Sequence, residues 1–319
     1  MAIRFHMMPS EDTPSELTIE PGRRPKVLLL GNGLNRVYGG ASWTGLLNRI
    51  NRTEFTPEQV KDIPLPMQAV LLSEDHVDVS LKDLQRELTQ CDQHPWLMGQ
   101  LRILLGQPFD CILTPNFTYE LECAADPKFL EVPSRAQRYR RHTEMVDRAE
   151  TRFMLHTYYS IPFEGREIPL FHIHGEASKP DSVILGHYYY GNLLFCYDDY
   201  LTRCAPDRKY RLGTSGKGMP VMSWLDYFIL GDVYTLGFGF DTSEMDLWWL
   251  LCRKKRERSN HGNLYFFEPE RRVAATKHAL LKAYNAKSVT MQMDNLTNDG
   301  YRLFYERAIR EISRRVSES

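Results

Sequence analysis

Residues 26–50 read KVLLLGNGLNRVYGGASWTGLLNRI, and the order of residue types in this run decides the fold class. The apolar run after Lys26 is of strand length and does not alternate with polar residues, which fits a strand buried on both faces. Gly31, Asn32 and Gly33 then punctuate the chain. From Ser42 onward the apolar spacing of SWTGLLNRI suits a helix. A strand, a glycine turn and a helix in that order open a parallel α/β sheet.

Downstream the same alternation recurs. DCILT (110–114) runs into the helix-compatible PNFTYELECA, and PLFHIHGE (169–176) is a strand ending in His-Gly. SVIL (182–185) reads as a strand before an aromatic-rich helix. Then DVYTLGFGF, NLYFFEP and SVTMQM alternate with the helical patterns SWLDYFIL, SEMDLWWLLCRKKRE, RVAATKHALLKAY and YRLFYERAIREI. The fold class predicted is α/β, Rossmann-like, with a mostly parallel sheet, helices on both faces and a helical or inserted subdomain. Residues 1–25, polar and without a period, read as a flexible N-terminal arm. Residues 26–319 read as one domain that includes a helical block at about 57–105 and a basic, irregular insertion at about 128–165 with the strand-like FMLHTYYSI (153–161) in its last part.

Composition narrows the function classes. Over 319 residues, 40 basic side chains stand against 41 acidic ones, and the formal charge of −1 supplies no general attraction to nucleic acid or an anionic membrane. The basic runs RYRRH (138–142) and RKKRER (253–258), with acids interspersed, read as solvated helix faces. No apolar run approaches the roughly 20 residues of a bilayer span, and no signal-peptide stretch opens the chain, so a cytoplasmic location is expected. Cys91, Cys111, Cys123, Cys196, Cys204 and Cys252 are scattered without a C-x-x-C pair, which predicts reduced thiols and no zinc.

In an open parallel sheet, ligands bind outside the carboxyl ends of the strands, near the point where the strand order reverses. Those ends carry Gly31-Asn32-Gly33, Asn116, His174-Gly175, Gly237-Phe238-Gly239 and Glu268-Pro269. Gly31 and Gly33 would let backbone N–H groups approach a pyrophosphate, although GNGLNR lacks the third glycine of G-x-G-x-x-G and also suits a plain loop. Asn116 suits a ribose hydroxyl or a bound water, and equally a helix N-cap. His174 is able to take a proton near neutral pH, or to be structural, and strand alternation turns His172 to the opposite face. Tyr188, Tyr189, Tyr190 and Phe195 read either as a ligand cover or as packing.

The ordered set LLLGNGLNR, LTPNFTYELE, FHIHGE and LGFGF before an acidic helix resembles the sirtuin-like NAD hydrolases of bacterial anti-phage defence, with the AbiH type more distant. The similarity runs over roughly residues 26–290. It implies NAD as the substrate, cleaved to nicotinamide and ADP-ribose by an abortive-infection effector. Gly31, Asn32, Gly33 and Asn35 match the phosphate-binding turn, with Thr114 and Gly175 beside the two catalytic positions. Asn116 matches the asparagine that holds the nicotinamide ribose and helps to place water, and His174 matches the catalytic histidine. Gly237 and Gly239 match the turn beside the adenosine ribose. Glu268 falls, by its position at a strand end, where an acid binds a ribose hydroxyl pair. A homo-oligomer is implied, with room for a separate sensor or ATPase partner.

The chain departs from sirtuins in several places. Asn116-Phe117-Thr118 stands where sirtuins follow the asparagine with an apolar residue and an aspartate, and Gly239 stands where they usually hold a serine. The four zinc cysteines and the deacetylase loop are missing, which removes both supports of acyl-lysine chemistry. Two further readings accompany the hydrolase: a non-catalytic module that binds NAD or an ADP-ribose derivative in a defence assembly, and a protein ADP-ribosyltransferase. Read as turn residues, Asn116 and His174 are expected to tolerate truncation without loss of the fold.

Overall fold

The apolar run of residues 27–30 is fully buried, and its side chains part to opposite faces of a sheet: Val27 and Leu29 join one core, Leu28 and Leu30 the other. Burying each such side chain contributes about 1.5–3 kcal/mol, which explains an unbroken apolar strand at the centre of the sheet. The computed structural model describes residues 17–40, 42–91, 93–141, 153–204, 218–257, 262–270 and 275–318. Its strands are β1 (Thr18–Ile19), β2 (Lys26–Leu30), β3 (Cys111–Thr114), β4 (Tyr139–Arg141), β5 (Thr157–Phe163), β6 (Arg166–His172), β7 (Met219–Pro220), β8 (Asp232–Leu236), β9 (Leu264–Pro269) and β10 (Ala286–Met291).

The main sheet runs in the order β10-β9-β8-β2-β3-β6-β5-β4. From β10 to β6 every pairing is parallel. Taken in chain order, these parallel strands lie as third, second, first, fourth, fifth and sixth, so the order reverses between β2 and β8. Register places the carboxyl ends side by side there: Leu30 pairs with Leu236, and Thr114 with His172. The helices divide between the faces as the α/β prediction requires. Trp43–Ile50, Leu65–Leu72, Val77–Leu88, Pro95–Leu105, Glu120–Ala125 and Asn298–Glu318 share one core, and His187–Asp199, Trp224–Leu230, Met245–Arg256 and Ala275–Ala283 share the other.

The insertion does not stand apart from the sheet. Its helix Val132–Arg138 leads into β4, and β4 and β5 extend the sheet in antiparallel fashion beyond β6. The strand expected at SVIL is absent. Val183 and Ile184 donate their N–H groups to Pro180 and His174 carbonyls, so turns use the backbone groups that a strand neighbour would need. Part of the N-terminal arm lies against the body: β1 pairs with β7, Ile19 is buried, and Arg23 meets Asp110 at 2.8 Å. The rest of the expected arm, residues 1–16, lies outside the described residues.

The 253–258 run departs from a solvated face at its second residue. Lys254 is buried, and its Nζ lies 2.6, 3.0 and 2.6 Å from the carbonyls of Phe228, Ile229 and Gly231 at the end of the Trp224–Leu230 helix. Those carbonyls have no partner within the helix, and a lysine from a neighbouring helix supplies one. Arg253 and Lys255 behave as expected of a surface, bonding to Glu257 and to the Ala283 carbonyl.

Candidate active site

At the reversal of strand order, two glycine-containing loops meet. Gly31 donates its N–H to the Leu236 carbonyl at 2.9 Å, and Gly33 donates to Gly237 at 2.7 Å. A Cβ on Gly31 would stand 2.6 Å from Gly237 O and from Phe238 Cα. A Cβ on Gly33 would collide with the Tyr305 hydroxyl and with Gly237. The two glycines therefore permit close packing between chain segments, and their N–H groups already have acceptors. After the turn comes the short 3-10 helix Asn35–Tyr38, ended by Gly39 at φ +94°, before Trp43–Ile50 begins under a Ser42 cap.

Above these loops opens a cavity of about 720 Å³, within the size range of small-molecule sites. Asn32, Gly33, Asn116, His174, Gly237, Gly239 and Glu268 all line it, so residues far apart in sequence meet on one surface. Gly31, Asn35, Thr114 and Gly175 are not on the wall. Asn35 is buried with its Nδ2 unpartnered. Thr114 Oγ1 donates to the Leu30 carbonyl at 2.8 Å and accepts from the Asn116 N–H at 3.1 Å, tying β3 to β2 and shaping the Asn116 turn. Gly175, at φ +87°, leaves no space for a side chain against the Ser182 carbonyl.

The two histidines of PLFHIHGE have separate partners. His172, the last residue of β6, approaches the Asn116 carbonyl with Nδ1 at 2.7 Å and Glu122 Oε1 with Nε2 at 2.6 Å. A carbonyl accepts only, so Nδ1 carries a proton and the ring anchors the backbone of Asn116. Burial opposes the charged ring, but the Glu122 carboxylate outweighs it and raises the His172 pKa. His174 lies in the turn beyond, with Nε2 2.8 Å from Asp246 Oδ2. At 3% exposure it is no surface turn residue, and truncating it would leave Asp246, itself fully buried, without its charge partner. The reading of His174 as a surface turn residue is corrected on that ground, and its truncation carries a stability cost.

Asp246 and Glu244 come from the start of the Met245–Arg256 helix, where its N-terminal dipole favours negative charge. Tyr190, lining the cavity, donates to Glu244 at 3.2 Å, and Tyr197 to Asp246 at 3.4 Å. Burial pushes Glu244 up to about 7, with His174 opposing and Asp246 reinforcing the shift. For His174, burial works downward, but the charge and hydrogen bond of Asp246, followed by Glu244, raise its pKa overall. The donor atoms of His174, Glu244 and Asp246 lie within 4.8 Å of one another, a spacing that would also fit a metal ion. The direct His174–Asp246 contact makes the group an acid–base pair as it stands. Of the aromatic run, Tyr190 faces the site, whereas Tyr188 and Phe195 are exposed.

Several wall residues carry little or no signal in the local sequence. Arg36, Arg49 and Lys277 bring cations, and Tyr301, Phe304 and Tyr305 bring one face of the C-terminal helix. Lys277 donates to the Gly239 carbonyl, and burial lowers its pKa. Glu268 is buried at the end of β9, 2.9 Å from His278 Nε2, and burial raises its pKa against the pull of its neighbours. Arg36 follows directly on the glycine turn and was the most readable of these. Asp246 needed knowledge of which helix start faces β6. Among the described residues, no helix is long and apolar enough to cross a membrane. In comparisons with known proteins, the chain matches no family model and no curated sequence.

Proposed function

We propose that the protein is an NAD glycohydrolase that acts as an abortive-infection effector. The observation that carries this reading is the meeting of Asn116, His174 and both glycine turns in one cavity at the reversal of a third-second-first-fourth-fifth-sixth sheet. Dinucleotides bind at that place in sheets of this order. Since Gly31 and Gly33 spend their N–H groups on the Leu236 and Gly237 carbonyls, the pyrophosphate would rest on Asn32 and the cations Arg36 and Arg49. Glu268 and Lys277 would face the adenosine ribose. Asn116, its backbone fixed by His172, would orient the nicotinamide ribose and the attacking water. His174, with Nε2 committed to Asp246, would accept the water proton on Nδ1 as the nicotinamide bond breaks, leaving nicotinamide and ADP-ribose. Assembly into a homo-oligomer, or control by a separate sensor or ATPase, belongs to the same proposal.

The test is incubation of the pure protein with NAD, alone and with candidate partners, and separation of the products. Nicotinamide and free ADP-ribose are expected. His174→Gln keeps an amide donor for Asp246 but removes the base, so it should lower turnover about 100- to 10,000-fold with an unchanged far-UV spectrum. Asn116→Ala should lose turnover to a similar degree. Intact NAD recovered from the protein would instead identify a binding module, and label retained on protein an ADP-ribosyltransferase.

A further inference from the structure

Away from the cavity, two sulfurs lie side by side. Cys91, half-buried just after the Val77–Leu88 helix, and Cys123, buried inside Glu120–Ala125, place their Sγ atoms 2.8 Å apart. Both are free thiols. They stand 32 residues apart in sequence and belong to different elements, so the fold brings them together rather than the chain's local geometry. We propose that Cys91 and Cys123 form a thiol–disulfide site, oxidised by a low-molecular-weight disulfide of the glutathione type.

Their surroundings give the two sulfurs different parts. Cys91 is the accessible one, and an amide donor, Gln93 Nε2, lies 3.9 Å from its sulfur. The hydrogen bond shared with Cys123 lowers the Cys91 pKa against the effect of burial, while the same bond and burial push Cys123 up. Cys91 thiolate attacks one sulfur of the small disulfide and expels the first small thiol, giving a mixed disulfide. Cys123 then gives up its proton, attacks the Cys91 sulfur and expels the second. Two protein thiols become one disulfide, and one small disulfide becomes two thiols.

The bond would bear on the cavity through a short chain of contacts. Cys123 follows Glu122 in the helix that begins just after Asn116, and Glu122 holds the His172 ring that anchors the Asn116 carbonyl. Oxidation would fasten this helix to the end of the helical block and restrict the Asn116 turn. The thiol chemistry stands on its own geometry and survives if NAD proves not to be a substrate.

The full chain is equilibrated across a series of reduced-to-oxidised glutathione ratios, trapped by alkylation, and read by intact mass and peptide mapping. The oxidised protein should lose two hydrogens and yield a linked Cys91–Cys123 peptide that dithiothreitol reverses. C123S should stop at one glutathione carried on Cys91, and C91S should carry none on Cys123. Cys91 and Cys123 both alkylated at every ratio, a link that forms only after denaturation, or glutathione left on wild-type Cys91 would each overturn the proposal. Glutathione on Cys123 in C91S would overturn the order of attack.

Discussion

His174 and Asp246 face each other inside the protein, and that closeness has opposite consequences for turnover and for stability. Because the folded ring has its pKa raised above the ordinary 6.5, the ion pair stabilises the fold fully below that value, and the contribution fades as pH rises through the shifted pKa. Proton acceptance runs the other way, since only the neutral ring has a vacant nitrogen. If the protein hydrolyses NAD as proposed, the rate should therefore rise with pH through a midpoint above 6.5. Asp246→Asn removes the largest raising influence and leaves burial, so the midpoint should move to lower pH in a pH–rate profile. An unmoved midpoint would sink the pairing as the source of the shift. Burial pushes Glu244 up to about 7, so it adds a titration of its own, and Glu244→Gln removes that limb while keeping the histidine one, at a midpoint lowered by the loss of the Glu244 charge.

At the scale of elements, the Lys254 contact sets two energies against each other. Taking an ammonium out of water is costly, and burial pushes its pKa down to about 7. Three carbonyls at 2.6–3.0 Å, however, can all be filled together only by a group with three N–H donors. Lys254→Met should destabilise by about 1–3 kcal/mol, because helix-end carbonyls lose their partner inside the protein. Urea titration measures this as a lower midpoint at unchanged slope, and a stabilised variant would mean that desolvation outweighs the three bonds. Nothing in RKKRER distinguishes Lys254 from its neighbours, since its burial depends on a helix some two dozen residues earlier in the chain. The parallel strands were readable because their signals are local: apolar runs, turn residues and helical spacing fall within a few residues of each other. The same holds for the strand-end positions Asn116, His174 and Gly237. FMLHTYYSI already reads as the strand that β5 forms, but its antiparallel pairing at the sheet edge, the Asp246 partner and the cations on the cavity wall arise from contacts between distant segments, which leave no mark on local periodicity. SVIL shows the converse, a strand-like composition whose backbone groups are taken by turns.

For the molecule as a whole, the meeting of β2, β8 and the C-terminal helix depends on the missing side chain at residue 33. Gly33→Ala would force a methyl group between the Tyr305 hydroxyl and Gly237, and overpacking of this kind costs about 1–3 kcal/mol. Hydrogen exchange should quicken along Asn298–Glu318, and the proposed NAD binding should weaken, while exchange in β3 and β6 stays near that of the wild type. Unchanged exchange in this helix would show that Tyr305 can turn aside at little cost.

Tyr301, Phe304 and Tyr305 also set a condition on how the protein is made. The ribosome delivers Asn116 and His174 long before this helix, yet the crevice has one side open until residues near 305 have left the exit tunnel. A nascent chain with its first five parallel strands already outside still lacks that wall. Competence at the site is thus tied to translation through residue 305, and a chain stalled before that point would carry the strand-end residues without the enclosure around them.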